Sequence, residues 1–148
     1  MKIAVDTNIL AYAEGIDDAE RQAASRQLMQ RLPGEMILIP VQALGELYNV
    51  LVRKAGWPVD RARGAIAAWR DGFTLAPTTA SAMIDAIDLA AEHRLSIWDS
   101  VMLSVAAETS CRLLLSEDFQ DGFSWRGVTV ANPFAASPQP LLEALLAG

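Results

Sequence analysis

Four acidic residues lie where an α/β protein gathers reactive groups: Asp6, Glu46, Asp99 and Asp118. Asp6 ends the short apolar run Ile3-Ala4-Val5, and Asp118 closely follows Leu113-Leu114-Leu115. In open α/β sheets ligands bind beyond the carboxyl ends of the strands. Asp99 falls in the first turn of a helix opened by Ser96. Glu46 falls mid-helix, off the apolar arc of Leu44, Leu47, Tyr48, Leu51 and Val52, on the side of Gln42, Asn49 and Arg53. Carboxylates crowded together repel and hold their protons more tightly unless a divalent cation compensates them. An all-oxygen donor set suits Mg²⁺ or Mn²⁺. Each acid also has an ordinary structural reading when taken alone. Asp6 can cap the helix beginning at Thr7, and Ser96-Ile97-Trp98-Asp99 has the form of a capping box. Asp118 can close an Asx turn, and Glu46 can face water.

The elements that must position these groups are legible from hydrophobic period and punctuation. Apolar runs at 2–6, 36–39, 73–76, 112–115 and 128–131 predict about five short strands. Helices are predicted over 7–14, 17–32, 40–55, 58–71, 78–94 and 96–109, with stops at Gly15, Pro33-Gly34, Gly56 and Gly72. Strands alternating with amphipathic helices imply an α/β sandwich around a mostly parallel sheet. At 148 residues the chain fits one domain, 1–148. Its Pro-punctuated end, about 133–148, is an extension that can finish in a short helix over 141–146.

Val5-Asp6-Thr7-Asn8-Ile9-Leu10, Leu44-Gly45-Glu46-Leu47, Trp98-Asp99-Ser100 and Leu115-Ser116-Glu117-Asp118-Phe119 follow one another in the order and context of the PIN-domain family. From Lys2 to about Ala131 the chain resembles the VapC toxins of toxin–antitoxin pairs. The resemblance implies a PIN-like sandwich and an endoribonuclease that cleaves phosphodiesters with a metal-activated water, using Mg²⁺ or Mn²⁺. It implies Asp6, Glu46, Asp99 and Asp118 as the acidic cluster, with Asp6, Asp99 and Asp118 on the metal and Glu46 or Asp118 taking the water's proton. Thr7, Asn8, Ser116 and Asp121 would support them. Glu117 and Asp121 stand close enough to Asp118 to leave the fourth position open. The resemblance further implies a cognate antitoxin, a helix or extended segment laid along the early helices, and a homodimer.

Composition narrows the alternatives. The 52% hydrophobic fraction supports a filled core. A single cysteine, Cys111, permits no internal disulfide and fits a reducing compartment. A carboxylate at position 6 interrupts any leader-like apolar core, and no run approaches the length of a membrane span. The expectation is a cytoplasmic protein. The net charge is −6, distributed unevenly: residues 1–70 hold nine Lys/Arg against eight Asp/Glu, and residues 71–148 hold three against ten. Arg53, Lys54, Arg61, Arg63 and Arg70 are candidates to guide RNA phosphates, although a solvated mixed-charge face explains any one of them. Trp57, Trp69, Trp98 and Trp125 can stack on bases or pack in the core. His93 reads as a surface residue near a helix end. A haloacid-dehalogenase-like phosphatase would need an Asp where Asn8 stands and a late lysine, whereas the lysines are Lys2 and Lys54. The remaining rival is a PIN-like domain that only binds.

Overall fold

Ile3, Ala4 and Val5 are all buried, and a strand buried on both faces belongs in the interior of a sheet. In the computed structural model, which describes residues 1–148, that strand, β1 (Lys2–Val5), lies between β2 (Ile37–Pro40) and β4 (Cys111–Leu115). With β3 (Thr74–Ala76), β5 (Ser124–Trp125) and β6 (Val128–Ala131) the sheet order is β3-β2-β1-β4-β6-β5. Every neighbouring pair is parallel except β5 with β6. Seven helices flank the sheet: α1 (Thr7–Ala13), α2 (Ala19–Arg31), α3 (Val41–Asn49), α4 (Val59–Gly72), α5 (Ala80–His93), α6 (Ile97–Glu108) and α7 (Pro140–Ala147). The core lies where Ile3, Ile37, Leu113 and Val130 of the strands meet Ile9, Leu10, Leu47, Leu89 and Leu103 of the helices. No helix is long and apolar enough to cross a membrane.

Two features depart from the sequence expectation. There are six strands where about five are expected. The sixth, β5, is two residues long and returns into β6 through Arg126-Gly127, whose φ values of 46° and 84° are both left-handed. A two-residue hairpin of this kind requires that conformation at both central positions, and Gly127 takes it without strain. The helix expected over 40–55 is also not uniform. It is α-helical to Asn49 and then makes a π-helical turn, Val50–Lys54, in which the Ala55 amide donates to the Val50 carbonyl at 3.0 Å. The wider turn ends at Lys54, which pairs with Asp17 at 2.7 Å.

The terminal extension is packed. Leu142 of α7 is buried, and Arg31 of α2 donates to the Leu146 carbonyl at 2.8 Å.

Candidate functional site

The chain runs outward from β1 through β2 to β3, then crosses back to place β4 on the other side of β1. The connections diverge at β1 and β4, so a crevice opens beyond their carboxyl ends, as at switch points of α/β sheets generally. Asp6 is the first residue after β1; Ser116 is the first after β4, and Asp118 follows two residues later. Glu46 arrives from α3, the helix after β2, and Asp99 from the first turn of α6, the helix before β4.

Asp6, Asp99 and Asp118 each offer a carboxylate oxygen within 4.8 Å of the other two. Asp6 is only 2% exposed, Asp99 is half-buried and Asp118 is exposed. Asp6 also caps α1: its Oδ1 accepts from the Thr7 amide at 2.7 Å, while its Oδ2 accepts from Ser116 Oγ at 2.7 Å. Ser116 Oγ in turn accepts from the Asp118 amide at 3.0 Å, and Asn8 Nδ2 donates to Asp118 Oδ2 at 3.0 Å. Thr7 Oγ1 donates to Glu46 Oε2 at 2.5 Å, and Gln42 Nε2 donates to Glu46 Oε1 at 3.3 Å. Ser96 caps α6 by accepting from the Asp99 amide at 3.1 Å. The cap reading of that segment therefore belongs to the Ser96 side chain, while the Asp99 side chain joins the acidic group.

None of the six ion pairs in the structure involves Asp6, Glu46, Asp99 or Asp118. Burial pushes the Asp6 carboxyl up to about 7; its bonds from Ser116 and Thr7 oppose the rise, and the neighbouring Asp118 and Asp99 charges add to it. Asp99 is raised by burial first, then by Asp118 and Glu46, against the lowering effect of Ser96. Three converging carboxylates with no cationic side chain among them fit a hard divalent cation by chemistry and by spacing.

The neighbouring acids are committed elsewhere. Glu117 accepts from the Tyr12 hydroxyl and, at 3.1 Å, from Arg21 Nε. The Arg21 guanidinium lies 5.6 Å from the Tyr12 ring centre and 5.0 Å from that of Phe134 in the terminal extension. Asp121 Oδ1 accepts from the Asn132 amide at 2.8 Å, which ties the loop after β4 to the end of β6. Tyr12 and Arg21 had no signal in the sequence, because their partner is 105 and 96 residues away respectively.

The remaining candidates divide. Arg63 and Arg70 pair with Asp60 and Asp71, and Arg61 lies 3.7 Å above the Trp57 ring. Arg53 is exposed on the π-helical turn. Trp57, Trp69 and Trp125 pack against the core, and Trp69 Nε1 also donates to Glu14 at 2.9 Å. Trp98 is 54% exposed beside Asp99. His93 is exposed in the last turn of α5, its ring edge-on to Phe123.

A PIN-domain family model matches residues 3–123, and the chain belongs to that family. Among solved structures it is similar to the Mycobacterium tuberculosis toxin VapC20, described as cleaving the sarcin–ricin loop. That match has 23% identity and a TM-score of 0.66, covering 76% of this chain and 87% of the toxin. A toxin–antitoxin complex from Klebsiella pneumoniae aligns at 20% identity and a TM-score of 0.67, over 90% of this chain and 98% of that one. VapBC2 from Rickettsia felis, bound to a DNA fragment of its promoter, aligns at 14% identity and a TM-score of 0.64, over 88% and 97%. At these identities the likeness is one of fold. A sequence search of curated proteins returned no match.

Proposed function

We propose that the protein is a divalent-metal-dependent endoribonuclease and the toxin of a toxin–antitoxin pair. The observation that carries this reading is the convergence of Asp6, Asp99 and Asp118 oxygens within 4.8 Å at the sheet's switch point, with no Lys or Arg side chain paired to any of them. Family membership and the fold shared with toxin–antitoxin structures support it.

In this reading Asp6, Asp99 and Asp118 hold Mg²⁺ or Mn²⁺. An ion held there would supply a more acidic bound water and offset charge on the phosphodiester. Thr7 and Gln42 hold Glu46 at the edge of the triad, where it takes the attacking water's proton. Ser116 and Asn8 fix the orientations of Asp6 and Asp118. Asp121 supports the site at one remove by anchoring the loop after β4 to the end of β6. The chain acts in the cytoplasm as one domain over 1–148, as a homodimer restrained by an antitoxin. A cationic side chain of that antitoxin can satisfy the acidic triad. The purified protein should cut single-stranded RNA in Mg²⁺ or Mn²⁺ and stop on addition of EDTA. EDTA-resistant cleavage, or none with a folded protein, would overturn the reading in favour of a binding domain.

The Glu117 pairing yields a second expectation. Arg21 and Tyr12 keep Glu117 turned away while its neighbour Asp118 faces the triad. Arg21→Ala should lower the cleavage rate roughly 10-fold, the scale of changes to groups that orient metal ligands. Arg21→Lys should restore part of it. An Arg21→Ala protein with the wild-type rate would show that the Asp118 loop holds itself.

A further inference from the structure

Gly45 lies inside α3, yet a Cβ placed on it would meet nothing within 4 Å. A mid-helix glycine costs about 1 kcal/mol relative to alanine. The chain's own packing does not demand this one. Its bare backbone floors a hollow of about 480 Å³ whose other walls are Gln42, Glu46, Asn49 and Trp98. Trp98 is 54% exposed, and its backbone carbonyl is held by Gln42 Nε2 at 3.5 Å. Trp98 directly precedes Asp99, and Glu46 forms the wall shared with the acidic crevice. The hollow therefore combines an exposed aromatic residue, two carboxamides and an uncovered helix backbone, beside the carboxylate triad.

We propose that this hollow is a nucleobase subsite. One unpaired base of the RNA strand stacks on Trp98 over Gly45, with its polar edge toward Gln42 and Asn49. The next phosphodiester then lies at the triad. The inference rests on the ribonuclease reading and adds to it a place for the base flanking the cut. Base–aromatic stacking supplies affinity whatever the base, while carboxamides can select among base edges. The Gln42 and Asn49 carboxamides, set beside the Trp98 ring and the Glu46 wall shared with the acidic crevice, match the mixed polar and apolar character of a base better than that of a purely apolar contact with a second copy of the chain.

The test measures binding as well as cutting. A short fluorescein-labelled single-stranded oligoribonucleotide is titrated in EDTA, where nothing is cut, alongside the same strand carrying an abasic site. Trp98→Ala should weaken binding of the full strand roughly 10-fold and erase its advantage over the abasic one, and Trp98→Phe should recover most of the loss. Gly45→Leu fills the hollow at a position where helix propensity rises, and should weaken binding similarly without lowering the melting temperature. In cleavage, KM should rise by a larger factor than kcat falls. Wild-type binding and cleavage in both variants would overturn the subsite and leave the nuclease standing. Altered sedimentation of Trp98→Ala with unchanged affinity per chain would instead assign the hollow to a contact between copies. A wild-type protein that neither binds nor cuts RNA would overturn both readings.

Discussion

Asp99→Asn should give a folded protein that no longer cleaves RNA. The residue has two separable roles. Its amide donates to Ser96 Oγ and so completes the N-cap of α6, a backbone function that asparagine keeps. Its carboxylate supplies one of the three converging oxygens, and only the charge makes it a ligand for a hard cation. The buried face of α6, from Ser100 through Ala106, is untouched by the substitution. Cleavage in Mn²⁺ should therefore fall by more than about 100-fold, beyond the usual effect of changing a group that merely orients a ligand. Melting followed by circular dichroism should stay within a few degrees of wild type. Ser96→Ala is the complementary variant: it removes the cap at a cost of about 1 kcal/mol and leaves all three carboxylates in place. It should melt earlier and still cut. An active Asp99→Asn protein would return Asp99 to the capping role.

What could be read from the sequence divides along a physical line. Strand β1 and the Asp6 that follows it are legible because an apolar run ending in a polar residue is a local pattern. Glu46 was legible as lying off the apolar face of α3, since that requires only the helical period. The identity of the fourth acid was not. Glu117, Asp118 and Asp121 are equivalent in sequence, and what sorts them is Arg21 on α2, Asn8 on α1 and the Asn132 amide after β6. Those are contacts across at least 11 residues and as many as 110, and no local periodicity encodes them. Strand β5 has no sequence pattern of its own because two residues cannot show alternation, although Gly127 marks its turn. The π-helical turn at Val50–Lys54 carries no proline or glycine to announce it. Among the four tryptophans, position alone could not separate Trp98 from the three that pack inward.

In the metal-free protein, stability should fall as pH rises from about 4 to 7, and Asp6→Asn should remove much of that fall. Asp6 ordinarily ionises at 3.8, but in the folded chain its carboxyl is pushed up to about 7, first by burial and then by Asp118 and Asp99. Below pH 4 both folded and unfolded chains hold the proton, and the group has no net effect. Between the two values the unfolded chain releases the proton and the folded one keeps it, so unfolding gains about 1.4 kcal/mol per pH unit. The cumulative loss is at most about 4 kcal/mol and levels off above pH 7. Asp99, raised for the same kind of reason, adds to it in the same direction. A divalent cation reverses the balance, because it binds the ionised triad only in the folded state. At 100 times its dissociation constant it contributes about 2.7 kcal/mol, or roughly 5–11 °C in melting temperature for a chain of this size. That gain should shrink below pH 7 as Asp6 takes up its proton. Asp6→Asn keeps an acceptor for the Thr7 amide, turns the atom facing Ser116 Oγ from an acceptor into a donor, and loses the charge. In EDTA at pH 7.5 it should therefore melt above wild type, and Mn²⁺ should shift it little. Thermal scans of both proteins from pH 4 to 7.5, with EDTA and with Mn²⁺, separate the outcomes. A loss of stability between pH 4 and 7.5 in EDTA as large in Asp6→Asn as in wild type would show that the triad carries no electrostatic strain. An equal Mn²⁺ shift in the two proteins would place the ion elsewhere.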